Sequence, residues 1–431
     1  MIHVSRRSGI VFGLLQVLFL TPAATAEDWP QFRGPTGLGY SSEKSLPTEW
    51  GGRDRKNVLW SAPLVGEGHA SPIVWKDRVF ACTVRWPDSV KDRTKVIPEH
   101  HVLCYSATDG KQLWDTQVPP GPWLRSDFRS GPGGGYAAPT PAADDQHVFC
   151  VFGSAVIAAL SHEGVIVWRK EIKPYTFDVT IGTSPVLYKD TVLMLYAMAR
   201  SEDSRLVAFD KKDGSTAWQT PLPHSSFAHS TPVLIQAGGK PQLIVVAAGM
   251  AESAEGVQSF DPASGKRLWW CKGPGEAASP AFGSGIVYCD SGRGGAGIAI
   301  DPTGAGDVSR THVKWRQERL GEGIGSPIIV DGLVYRLQAP NVLKCWRAAD
   351  SELVYTERLP GLTTSWASPV ADAAGRLYYA SAGKSYVLQA GAEFRVLAVN
   401  DLDDPNHASP AVAGGRMYVA GTRMLYCIGN K

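Results

Sequence analysis

No charge of either sign dominates this chain, and that absence removes two classes of partner. Its 43 Lys and Arg against 41 Asp and Glu leave a formal charge of +2, so composition favours neither nucleic acid nor an anionic membrane. Beyond Leu20 no apolar run is long enough to span a bilayer. Seven cysteines are present without a CxxC or an adjacent pair, which argues against zinc or thioredoxin-like chemistry. No GxSxG, HExxH, phosphate loop or Rossmann fingerprint occurs. Sustained helical periodicity is missing too.

Glycine (46) and proline (30) are plentiful, which suits an all-β protein rich in turns. The prolines are not scattered. Ser71-Pro72, Thr140-Pro141, Ser184-Pro185, Thr231-Pro232, Ser279-Pro280, Ser326-Pro327, Ser368-Pro369 and Ser409-Pro410 each open a short apolar run. After a first interval of 69 residues, the prolines fall 44, 47, 48, 47, 42 and 41 apart. Strand-like repeats at that period predict a β-propeller with one blade per repeat. About 400 residues can then share one continuous core.

Residues 1–26 are expected to be an export signal: Arg6-Arg7, an apolar stretch from Gly9 to Leu20, and Ala24-Thr25-Ala26 as a cleavage site. Removing them takes away two arginines and leaves a nearly neutral chain. The expectation is a periplasmic or secreted protein without a transmembrane segment. Residues 27–56 read as an N-terminal extension and 57–431 as the propeller.

Blade 1 shows the unit. Ser71-Pro72-Ile73-Val74 is a first strand, with proline at its start, where a missing N–H costs no ladder bond. Arg78 to Thr83 and Val102 to Tyr105 follow as second and third strands. A Thr108-Asp109-Gly110-Lys111 turn then leads into Gln112-Leu113-Trp114. Gly four residues before Trp recurs as Gly110/Trp114, Gly164/Trp168, Gly214/Trp218 and Gly265/Trp269, and Trp315 follows a longer turn. These rings are expected to fill the wedge between neighbouring blades. Ser409 to Ile428 supplies only three strands. The fourth is expected from Asn57-Val58-Leu59-Trp60, which would make an eight-bladed ring sealed by the two ends of the chain. Cys82 and Cys104, on strands expected to be neighbours, are the best candidate disulfide in an oxidising compartment.

Units such as Val207-Ala208-Phe209-Asp210…Asp213-Gly214-Ser215-Thr216-Ala217-Trp218, and Ser259 to Trp269, resemble the bacterial pyrroloquinoline-quinone (PQQ) repeat propellers over about residues 57–430. Asp28-Trp29-Pro30-Gln31-Phe32-Arg33-Gly34-Pro35 resembles the start of secreted propellers of planctomycete-like bacteria. The resemblance implies one of two kinds of function. Quinoprotein alcohol dehydrogenases hold PQQ and calcium at the ring centre under a vicinal Cys-Cys pair, which this chain lacks. BamB-like propellers are non-catalytic scaffolds anchored through a lipobox cysteine, also lacking here.

Blade topology places the segment entering each first strand, and the loop between second and third strands, on one face. The residue three before each proline should ring the channel there: His69, Ala138, Gly182, His229, Ala277, Ile324, Trp366 and His407. His69, His229, Trp366 and His407 are candidates for ligand contact, though hydrogen-bonded strand starts would explain the histidines as well. Arg125 and Arg129, in a long glycine-rich connection, and Arg293, Arg336 and Lys384, after second strands, could form a basic rim for an acidic small molecule or glycan. Asp109, Asp213, Asp261 and Asp301 belong to turns on the opposite face. No metal site and no catalytic residue is assigned. The sequence favours a binding or scaffold module for a protein or small acidic ligand, over a PQQ- and calcium-dependent oxidoreductase of alcohols or sugars.

Overall fold

The computed structural model describes residues 27–124, 135–177, 181–248, 254–363 and 366–431; the expected export signal, Arg125 and Arg129 lie outside them. Eight sheets follow one another along the chain, as the repeat count predicts, each antiparallel apart from a short parallel strand, Gly306–Asp307, added to the edge of the fourth. Blade 3 is typical, with strands Val186–Tyr188, Thr191–Tyr196, Arg205–Asp210 and Thr216–Pro221 in that order. The middle strands are buried on both faces, whereas the outermost alternate between half-buried and exposed. The eighth sheet takes Ala411–Ala413, Arg416–Ala420 and Met424–Gly429, and its outer strand is Val58–Pro63 from the front of the chain.

Two sets of contacts join the blades. The inner set is a cycle. The backbone N–H of each Ser or Thr before proline donates to the hydroxyl of its counterpart in the next blade, from Ser71 to Thr140 and onward to Ser409, all at 2.9–3.1 Å. Ser409 N–H then donates to Ser71 Oγ at 2.9 Å. The outer set uses the tryptophans. Trp60, Trp114 and Trp168 donate their indole N–H to Ala107, His162 and Lys211 carbonyls in the following blade's turn, and Trp315 donates to Ala348. Trp269 reaches blade 5 through Gln242, which accepts from the indole at 2.8 Å and donates to Pro302 O at 2.9 Å. Trp218 packs flat on Gly265.

Four of those turns, at Gly110, Gly164, Gly214 and Gly265, end in a glycine at positive φ, and the neighbouring indole occupies the space a side chain would need. A Cβ on Gly214 (φ 71°) would fall 2.7 Å from the Trp168 ring. The preceding Asp closes the turn: Asp213 Oδ1 accepts Ser215 N–H at 2.7 Å.

Residues 28–45 are more than an extension. Trp29 bridges Val74 of blade 1, Pro30 O accepts Ala143 N–H of blade 2, and Gln31 Oε1 accepts Leu187 N–H of blade 3. Leu38 is buried in one apolar cluster with Val233 and Ile235 of blade 4. Arg33 donates to Pro280 O of blade 5 and Pro327 O of blade 6 at 2.9 and 2.7 Å. Gly39 O accepts Ala371 N–H of blade 7, and Glu43 accepts Gly415 N–H of blade 8. This strap therefore visits the blades in turn along their first strands, and at Arg33 it reaches the prolines next to the Ser/Thr cycle.

The candidate disulfide is not formed. Cys82 faces Val102 and Cys104 faces Phe80 across their strands, so the two thiols sit diagonally. All seven cysteines are free and buried. Small apolar packing, with burial pushing thiols such as Cys104 up to about 12, describes them.

Two substitutions test the indole joint. Gly214 and Gly285 share the same left-handed backbone, but nothing lies within 4 Å of a Cβ at Gly285. Gly285→Ala should cost about 1 kcal/mol of backbone strain, and Gly214→Ala at least about 1 kcal/mol more. Equal losses in chemical denaturation would contradict the docking role. Removing residues 27–45 should lower the melting midpoint by roughly 5 °C or more, since it strips buried groups from every blade. An unchanged midpoint would show the strap to be ornamental.

Candidate functional site

The first strands run side by side down the centre, so their starts form a collar. Where each strand begins, the Ser/Thr-Pro pair fixes the height of the chain, and the residues just before it point over the channel. A cavity of about 170 Å³ opens there. Its wall contains all eight residues three before a proline, from His69 to His407, together with all eight Ser and Thr of the cycle, Gly135 and Arg293. Phe32, from the strap, also lines it. Phe32 thus gives the cavity a floor on the side of the strap.

Its chemistry is that of donors. Each hydroxyl of the cycle is buried and already accepts a backbone N–H, which polarises its own O–H. None of the eight hydroxyl protons has an acceptor among the described residues. No Asp or Glu belongs to the described lining.

One side of the collar carries an aromatic arc. His407 stacks on Trp366 at 4.6 Å and tilts against His69 at 5.0 Å. His69 Nδ1 lies 2.8 Å from Asn406 Oδ1. That oxygen also accepts His407 N–H, while the Asn406 amide donates to the Gly421 and Gly68 carbonyls. The amide is thereby oriented, and His69 carries its proton on Nδ1. Burial, with His69 adding to it, pulls His407 down to about 4, so its imidazole is neutral at ordinary pH. His229 stands across the ring, edge-on to Phe177 and Phe227, in space that Gly182 leaves open. The three histidines do not converge on one point.

The basic rim is smaller than expected. Arg293 lines the cavity, yet its Nε donates to Glu276 at 3.1 Å and Glu322 lies 3.6 Å from its Nη1. Desolvation raises the Glu276 carboxyl, and Arg293 opposes it. Arg336 is no rim residue. Its strand, Leu333–Gln338, runs further than expected, and the side chain is 1% exposed. There it forms a two-pronged pair with Asp290 at 2.7 and 2.8 Å. Asp290 in turn accepts Gly292 N–H at 2.7 Å, so Arg336 positions the loop that carries Arg293. Lys384 also misses the collar: it lies in an outer groove with Trp50, Asn400 and Asp401. The four aspartates Asp109, Asp213, Asp261 and Asp301 each accept a backbone N–H two residues on, as turn formers.

Residues 89–303 match the family model described as outer membrane protein assembly factor BamB. Among solved structures, the chain is similar to a europium-containing methanol dehydrogenase (TM-score 0.70, 12% identity, covering 94% of this chain and 98% of that one). It is similar to quinohemoprotein alcohol dehydrogenase from Comamonas testosteroni (TM-score 0.65, 12% identity, 94% and 81%). BamB from Moraxella catarrhalis aligns with TM-score 0.58 and 12% identity over 87% of this chain and 97% of that one. Curated protein sequences offer no match. Calcium takes six to eight oxygen ligands, carboxylates among them, and the described lining has no carboxylate; these residues do not fit a PQQ–calcium pair.

Protonation of His407 should weaken the fold. Unfolded histidine takes its proton near pH 6.5 and this one only near 4, so acid favours the unfolded chain over that window. His100, stacked on Phe152 and lowered to about 3 by burial, acts in the same sense. Stability should fall as pH drops from about 6.5 toward 4, and less steeply in His407→Gln. Identical slopes in denaturation series at pH 7 and 5 would rule this histidine out as a contributor. The repeat, the eight-sheet ring and these structural likenesses together make the chain an eight-bladed β-propeller, similar in fold to BamB and to the quinoprotein dehydrogenases.

Proposed function

We propose that this propeller is a non-catalytic binding module, exported to the periplasm or beyond, that captures a small polar ligand end-on in its central cavity. One observation carries the reading: a cavity closed at one end and lined by eight hydroxyl donors, imidazoles, an indole and a guanidinium, with no carboxylate in its described wall. Such a wall offers orientation and specificity. It offers no pairing of nucleophile with base. Trp366 and His407 present stacked rings to one side of an occupant, and Arg293 presents a charged donor to the other.

The competing reading, a PQQ-dependent oxidoreductase, draws on likeness to the dehydrogenases, which at 12% identity concerns the fold. Incubation with PQQ and calcium discriminates. Stoichiometric uptake with dye-linked alcohol or sugar oxidation would replace the binding reading. For the binding reading, calorimetry with a small acidic sugar such as D-glucuronate should give saturable 1:1 binding. Arg293→Ala should weaken it about tenfold, the worth of one charge-assisted bond, with the melting midpoint nearly unmoved. Unchanged affinity would remove Arg293 from the site.

A further inference from the structure

The strap buries a cation without giving it an anion. Arg33 is 3% exposed, and its guanidinium donates to three carbonyls, those of Leu38, Pro280 and Pro327. Its Nε has no partner among the described residues, and no Asp or Glu among them pairs with it. Carbonyl oxygens satisfy donors but do not cancel a unit charge, and an uncompensated buried charge is among the costliest things a fold can hold. Burial lowers the Arg33 pKa only to about 10, with Tyr40 opposing, so the charge persists at neutral pH.

Its position relates that charge to the cavity. Phe32, the preceding residue, lines the cavity. Pro280 and Pro327, whose carbonyls hold the guanidinium, directly follow Ser279 and Ser326 of the hydroxyl cycle. Arg33 therefore lies just under the floor, against blades 5 and 6. Arg293 stands at the rim on blade 5, the same side. Every other charge nearby is balanced: Arg293 by Glu276 and Glu322, Arg336 by Asp290. Around the cavity, the unbalanced unit is the buried one.

We infer that the cavity takes an anionic ligand, a carboxylated or sulfated small molecule, whose negative group settles on the wall of blades 5 and 6 between Arg293 and the floor, as the counter-ion Arg33 lacks. This deepens the binding reading above and rests on it. The floor guanidinium acts through space in a dry environment, where attraction is little screened. The rim guanidinium supplies direction, and the hydroxyl protons supply further donors. Arg33 is a charge-supplying residue rather than a contact residue, so its signature is preference for charge, not affinity as such.

The test compares D-glucuronate with its neutral isostere D-glucuronamide, by calorimetry on the chain from Glu27 to Lys431. The wild-type protein should prefer the acid by about tenfold or more. Arg33→Lys should keep most of that preference, because the charge stays, and Arg33→Gln should lose it. A purely structural staple would destabilise both variants and leave the ratio alone, which overturns the inference. If Arg33→Gln does not fold, Arg293→Ala decides: a surviving severalfold preference for the acid supports the buried charge, and its abolition overturns it. Equal affinity of the wild type for acid and amide sinks the counter-ion role but leaves the binding module standing. Failure of both to bind removes both readings.

Discussion

A cycle of eight backbone-to-hydroxyl hydrogen bonds, each linking one blade to the next, is the constraint from which the centre of this molecule is built. It needs a residue with a short hydroxyl side chain and a free N–H, followed by one whose φ is fixed and whose own N–H is not required. Ser-Pro and Thr-Pro meet both needs. Because every link has nearly the same length, the eight first strands start at one height, and the residues before them form a level collar. The same bonds consume acceptors and leave protons, so the architecture itself gives the cavity its donor character.

The indole joints at the periphery and the strap at the far end act on the same geometry from other directions. Indoles over glycine turns set the spacing of the blades at their outer edges, where the wedge between radial sheets is widest. The strap closes the channel from below and brings in Arg33, a buried guanidinium with no acidic partner among the described residues. A site in this protein is thus a property of the whole ring: its walls come from eight blades and its floor from a segment that belongs to none.

Much of this was legible in the residues because repeats convert sequence position into height. Counting back three from each proline reaches the cavity wall in all eight blades, and counting four from each glycine reaches the joint. What failed was whatever depended on register or on distant pairing. Arg336 was assigned to a loop two residues before its strand ends, and in a strand buried on both faces such a residue needs an ion partner, here Asp290, 46 positions away. Cys82 and Cys104 sit on adjoining strands, but an offset of two residues in register puts them diagonal. The strap left almost no trace: Arg33 meets Pro327 across 294 positions, and no local pattern encodes such a contact.

That last separation bears on how the chain reaches its final form. Trp29 can pair at once with blade 1, but Arg33, Gly39 and Glu43 have nothing to hold until blades 5 to 8 exist. Val58–Pro63 likewise waits for Met424–Gly429. Loop closure over nearly the entire polymer must precede these rewards, so assembly is governed by high contact order and proceeds slowly. Until Met424–Gly429 is made, Val58–Pro63 is an unpaired edge, open to pairing with the wrong strand.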